Sequence, residues 1–136
     1  MPLCAICAAL GMLADTDILI WLFRGRQSAQ EALEDCQTIE LSAITYIELV
    51  QGSRNKNELA HLRQSISANG WRILPVTESV SYRATALIEN YALSHGMRLA
   101  DALIAATAID LGLTLITANT RHYDFLRGLS LRRYRP

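Results

Sequence analysis

The chain has a single lysine, Lys56, among 136 residues, and its formal net charge is zero. Overall charge therefore gives no argument for a polyanionic partner. Cysteine is scarce too: Cys4, Cys7 and Cys36. No second pair or suitably spaced histidine completes a zinc site with Cys4 and Cys7, and that pair does not open a helix after a strand as a redox motif does. An odd, sparse count excludes a disulfide-stapled scaffold and fits a reducing, cytoplasmic setting. The apolar opening from Met1 to Gly11 is too short to span a bilayer and lacks the basic stretch of a signal peptide. A signal peptide is the rival reading of this stretch. Our expectation is that residues 1–11 are a dispensable extension, because a second methionine, Met12, stands directly before the first strand. No G-x-S-x-G surrounds any serine, and repeats, linkers and low-complexity tracts are missing.

What remains is a hydrophobic fraction of 51% against 19% charged residues, the balance of one well-packed domain over residues 12–136. Met12–Asp15 reads as a buried strand and Ile18–Phe23 as the helix after it, closed by Gly25. Ser28–Cys36 follows as a second helix and Thr38–Leu41 as a strand. Ser42 is placed to cap a helix that carries Glu48 and stops at Gly52-Ser53. Asn57–Ala68 reads as a helix with Leu59, Leu62 and Ile66 on one face, then Trp71–Val76 as a strand. Thr77 caps the clearest amphipathic helix, whose apolar stripe is Val80, Ala84, Leu87, Ile88 and Tyr91. Asp101–Leu111 is apolar almost all round, Thr114–Thr117 is another strand, and Leu129–Leu131 a short last one. Strands alternate with helices and mostly lack polar alternation. The pattern predicts an α/β fold, a mainly parallel twisted sheet with helices on both faces.

Acidic residues set in apolar segments are the chemistry of this chain. Asp15 and Asp17 close the run Met12-Leu13-Ala14, Glu48 sits among Tyr46, Ile47, Leu49 and Val50, and Asp101 opens Ala102-Leu103-Ile104-Ala105-Ala106. Each has an ordinary alternative. Thr16 or Asp17 can cap a helix, Glu48 can face solvent, and Asp101 can be an N-cap. Together they lie where a parallel sheet gathers ligands, beyond the C-terminal strand ends. No lysine or arginine recurs beside all of them, so a hard divalent cation is the economical partner, and oxygen donors suit Mg²⁺ or Mn²⁺. Neutralising Asp15, Glu48 and Asp101 would leave the rest of the surface net basic, with Arg121, Arg127, Arg132, Arg133 and Arg135 crowded at the end. Those arginines serve equally to protect an edge strand or to contact RNA. The helix from Ile18 to Phe23, with Trp21 inside it, is apolar on more sides than one buried face requires, which marks an interface or full burial.

Four ordered motifs carry a family resemblance from about Met12 onward. They are Leu13-Ala14-Asp15-Thr16-Asp17, then Ser42 to Glu48-Leu49 with Gly52, then Asp101 to Ala108, and last Thr117-Ala118-Asn119-Thr120-Arg121-His122-Tyr123. In these the chain resembles a PIN-domain ribonuclease, specifically the VapC-type toxins of toxin–antitoxin pairs. It departs where many relatives place a fourth carboxylate. Here stand Asn119, then His122, with Asp124 further on.

The resemblance implies a Mg²⁺- or Mn²⁺-dependent endoribonuclease leaving 5′-phosphate and 3′-hydroxyl ends. It makes Asp15, Glu48 and Asp101 the metal ligands and catalytic set, with Asn119 a further catalytic position. Thr16, Asp17, Thr117 and His122 would support them, and Arg121, Arg132 and Arg133 would meet RNA. A cognate antitoxin covering Trp21 and Phe23, and a homodimer, are implied in the same way. Two rivals stand beside this. Asp15-Thr16-Asp17 also fits the nucleophile motif of haloacid-dehalogenase-type phosphatases, though no acidic pair follows Asp101 as that chemistry needs. A degenerate PIN module would bind partners without catalysis.

Overall fold

The computed structural model describes residues 11–36 and 38–136. The Cys4/Cys7 pair and most of the proposed extension lie outside them. Among the described residues the chain runs β1 (Met12–Ala14), α1 (Thr16–Phe23), α2 (Gln27–Glu34), β2 (Ile39–Ser42), α3 (Ala43–Gln51), α4 (Lys56–Asn69), β3 (Arg72–Leu74), α5 (Glu78–His95), α6 (Leu99–Leu111), β4 (Thr114–Thr117), a 3₁₀ turn (Thr120–His122) and β5 (Ser130–Arg133). The strands form one sheet in the order β3-β2-β1-β4-β5, and every pairing is parallel.

Successive strand residues point to opposite faces, and both faces are dry. Leu13 and Leu115 join the core under α5 and α6. Met12, Ala14 and Ile116 join the core under α1 to α4. The strands therefore read as continuous apolar runs. On α5 the predicted stripe is the packed face: Val80 and Ala84 are buried, and Leu87, Ile88 and Tyr91 pack against the same core.

Several boundaries differ from the sequence expectation for local reasons. Helix α1 starts at Thr16, because the Asp15 carboxylate itself accepts from the Thr16 N–H at 2.8 Å as N-cap. Neither Thr16 nor Asp17 is the cap. Helix α6 starts at Leu99, so Asp101 lies inside its first turn and is not the cap. Strand β3 stops at Leu74, since Pro75 has no N–H for a ladder. Gly11, placed in the extension by sequence, belongs to the domain. It is buried with φ +72°, its carbonyl accepts from the Thr114 N–H at 3.3 Å, and an added Cβ would meet Leu113 Cδ2 at 3.0 Å. Among the described residues no helix is long and apolar enough to cross a membrane.

Candidate active site

The site forms where β1 and β4 end side by side, and where the first turn of α6 and the middle of α3 close over that edge. Pairing of Ala14 with Ile116 puts Asp15 next to Thr117. The Thr117 hydroxyl donates to Asp15 Oδ2 at 2.8 Å and shares its proton with Asp17 Oδ2 at 3.1 Å. Asp17 holds the chain leaving β4 as well, accepting from the Ala118 N–H at 2.9 Å and the Asn119 N–H at 3.2 Å. Its other oxygen accepts from the Ile18 N–H at 2.6 Å. One carboxylate thus clamps the β4 exit loop onto the start of α1.

Asp15 is 6% exposed. Burial, reinforced by the neighbouring Asp17 charge, pushes its carboxyl up to about 6, although hydrogen bonds from Thr117, Thr16 and Tyr123 pull the other way. The Tyr123 hydroxyl lies 3.1 Å from Asp15 Oδ2 and 3.2 Å from Asp101 Oδ1. It has one proton to donate and two carboxylates to serve. Its own acidity is suppressed well beyond the ordinary phenol range, first by burial and then by the Asp15 and Asp101 charges, so it stays a neutral donor. Asp101 also faces His122, whose Nδ1 is 3.2 Å from Oδ2.

Glu48 reaches the same edge from α3. The Thr16 hydroxyl donates to Glu48 Oε1 at 2.6 Å and stands 3.3 Å from the Thr45 hydroxyl. The structure therefore links Asp15, Glu48 and Asp101 through Thr16 and Tyr123. Thr16, Thr117 and His122 each touch at least one of the clustered acids, and Asp17 is joined to Asp15 through the shared Thr117 hydroxyl. Asn119 takes part through its backbone N–H, with its side chain exposed and making no cap bond. Tyr123 closes the fourth motif, and sequence pattern alone assigns it no role. The signal available was an aromatic hydroxyl two residues after the basic residue of that motif.

The arginines divide. Arg121 is exposed on the 3₁₀ turn beside the site, and Arg133 is exposed at the end of β5, in register with Thr117. Arg132 turns away to Asp35 at 3.9 Å and the Cys36 sulfur at 4.0 Å. Trp21 is half-buried beneath Arg26, whose guanidinium carbon is 4.6 Å from the ring centroid, and Phe23 meets His61 edge-on at 6.4 Å. Ile18 and Leu19 fill the core, which leaves Ile20 exposed on the other side of α1.

Among the described residues no Lys or Arg pairs with Asp15, Glu48 or Asp101. Nor are three acidic, imidazole or thiol groups gathered tightly enough to enclose an ion as they stand. Asp15 and Asp101 converge on the phenol, and Glu48 is held one residue away by Thr16. Carboxylate oxygens in a partly buried setting, short of one counter-charge, are the donor chemistry of a hard divalent cation.

Residues 12–127 match the PIN domain. Ribonuclease VapC19 of Mycobacterium tuberculosis is 36% identical over 122 residues, covering 86% of this chain and 95% of that protein. Ribonuclease VapC10 of the same organism is 32% identical over 122 residues, covering 87% and 90%. A solved toxin–antitoxin complex from Klebsiella pneumoniae contains a chain with TM-score 0.75 and 34% identity, covering 87% of this chain and 94% of that one. DNA-bound VapBC from Salmonella typhimurium gives TM-score 0.79 at 20% identity over 92% of this chain and 98% of that one, a likeness of fold alone. The phosphatase alternative for Asp15-Thr16-Asp17 gains nothing from these matches. With its four motifs gathered at one sheet edge and these relatives spanning most of its length, the chain belongs to the PIN-domain family, in the group of the VapC ribonucleases.

Proposed function

We propose that this protein is a metal-dependent endoribonuclease and the toxin of a toxin–antitoxin pair, acting in the cytoplasm. One observation supports the reading best: the single Tyr123 hydroxyl is shared by Asp15 and Asp101, two carboxylates that pair with no Lys or Arg among the described residues. Asp15, Glu48 and Asp101 would hold Mg²⁺ or Mn²⁺. When bound, such a cation supplies Lewis acidity, lowering the pKa of water and offsetting charge that builds on the scissile phosphate.

The chain's own residues do the rest. Asp17 and Thr117 fix the β4 exit loop, so Asn119, Arg121 and His122 are presented at the mouth of the site. Thr16 orients Glu48, and Tyr123 orients Asp15 and Asp101. Arg121 and Arg133 are placed to meet backbone phosphates. The toxin–antitoxin relative supports an antitoxin partner, and the aromatic side of α1 around Trp21 and Phe23 is its proposed contact. A homodimer is part of the same proposal.

The test is Asp101→Asn in the full chain, incubated with total RNA in Mg²⁺ or in chelator, with the cut ends mapped. Wild type should cut only with metal and leave 5′-phosphates. The variant should lose more activity than the roughly 10–100-fold typical of outer-shell partners, and the Mn²⁺-induced rise in Tm should shrink. Near-wild-type cutting by the variant would refute the metal site. A wild type that binds metal but cuts no RNA would favour the partner-binding module.

A further inference from the structure

An aromatic stack takes no part in the carboxylate cluster, and one of its rings lies two residues from Tyr123 in sequence. The His95 imidazole lies over the Phe125 ring, centroids 4.2 Å apart and planes 21° from parallel. Tyr91 braces both, 5.5 Å from His95 at 73° and 5.1 Å from Phe125 at 52°. The Ser94 hydroxyl lies 2.7 Å from His95 Nδ1 and fixes the imidazole in its plane. Phe125 and Tyr91 are half-buried against the core under α5 and α6, whereas His95 is exposed. One ring of the stack, Phe125, is therefore anchored against the core, and the other, His95, is exposed.

Its position is set by the chain on both sides. His95 ends α5, and Gly96, at φ +63°, turns the backbone so that Asp101 falls in the first turn of α6. Phe125 is two residues past Tyr123, which touches Asp15 and Asp101, and two residues span at most about 7 Å. Arg98 and Arg127 flank the two ring residues in sequence. Both are exposed, and neither forms an ion pair among the described residues. An exposed aromatic ring, with arginines nearby in sequence that form no ion pair among the described residues, matches the requirements of a single-stranded nucleic acid, whose bases stack while its phosphates pair with arginine.

We propose that the His95–Phe125 stack is a platform for a nucleobase of single-stranded RNA close to the scissile phosphate. This rests on the ribonuclease reading above and deepens it by naming a substrate contact. His95 positions the strand and takes no part in the bond cleavage.

The experiment uses the full-length protein, short fluorescent single-stranded RNAs spanning a mapped cut, and the same RNAs with one abasic position moved stepwise across it. Binding is measured in chelator and cleavage in Mg²⁺. His95→Ala should weaken binding and raise KM about tenfold, the range of one lost base stack, with kcat unchanged. His95→Phe should restore both. One abasic RNA should bind wild type as weakly as intact RNA binds His95→Ala, and the variant should not distinguish that RNA from the intact one. The wild-type abasic scan stands even if His95→Ala folds poorly. Equal binding of every abasic RNA by wild type, or an unchanged KM in a folded His95→Ala, overturns the platform and leaves the nuclease reading intact. A change of oligomeric state in His95→Ala by light scattering would assign this face to a second copy and also overturn it. Wild type that neither binds nor cuts RNA removes the nuclease reading itself.

Discussion

Thr16 donates its hydroxyl proton to Glu48 across 2.6 Å, joining the first turn of α1 to the middle of α3 over 32 positions of sequence. A threonine at the first position of a helix needs no such partner. Here it fixes the direction of a carboxylate that would otherwise sample several rotamers. Thr16→Val, nearly the same shape without the hydroxyl, should lower cleavage and Mn²⁺ affinity by about 10–100-fold, and Thr16→Ser should keep most of both. Isothermal titration with Mn²⁺ and single-turnover cleavage check this. An unchanged Mn²⁺ affinity in the valine variant would remove Glu48 orientation from the mechanism.

Tyr123→Phe removes the donor that Asp15 and Asp101 share. Without metal, a buried acceptor loses a partner, and the expected loss of stability is about 1–3 kcal/mol. Saturating Mn²⁺ should recover most of that loss, since the cation supplies the missing positive partner. Thermal melts in chelator and in Mn²⁺ give the comparison. A deficit of the same size in both would make Tyr123 a packing residue only.

The Asp15 carboxyl, pushed up to about 6 chiefly by burial, gives the metal-free protein a definite pH dependence. In the unfolded chain an aspartate titrates near ~3.9. Below that value Asp15 is neutral in both states and burial costs nothing. Between about 4 and 6 the unfolded chain releases its proton first, so folding stability falls as pH rises, and it levels off above 6. The whole difference is about 3 kcal/mol. Asp15→Asn should therefore melt higher than wild type at pH 7.5 in chelator and alike at pH 4. A variant less stable than wild type at pH 7.5 would contradict this sign.

For the antitoxin contact, Trp21→Ala combined with Phe23→Ala should weaken binding of the cognate antitoxin more than it weakens RNA cleavage by the free protein. Both rings are half-buried, so a melt must accompany the measurement. Unchanged antitoxin affinity in a folded double variant would take α1 out of the interface.

Removal of residues 1–10 should leave activity and Tm unchanged. Removal of Gly11 as well should lower Tm, because its carbonyl and its left-handed turn tie β1 to β4. Loss of soluble protein on the shorter deletion would show that the opening segment packs on the domain.

The acids were legible in the sequence because an aspartate ending an apolar strand, or a glutamate between Ile47 and Leu49, conflicts with its neighbours. Alternating strands and helices likewise exposed the sheet, since both of its faces are covered. Local pattern could not show what depends on distant partners. Nothing near Asp17 says that it will capture two N–H groups of the β4 exit loop, and nothing near Tyr123 says which carboxylates it will meet. The end of β3 turned on one proline, and the start of α1 on Asp15 serving as both cap and site residue. Arg132 looked equivalent to Arg133 until β5 alternated them onto different neighbours.

The contacts from Thr117 and Tyr123 to Asp15 span 102 and 108 residues of chain. Such pairings are the last that a polypeptide can make while it is being synthesised. A growing chain that has emerged as far as α5 carries Asp15 and Glu48 but lacks Asp101, β4 and the phenol that draws the acids together. The proposed site is therefore complete only after the centre strand of the sheet, β1, has found its late neighbour, β4.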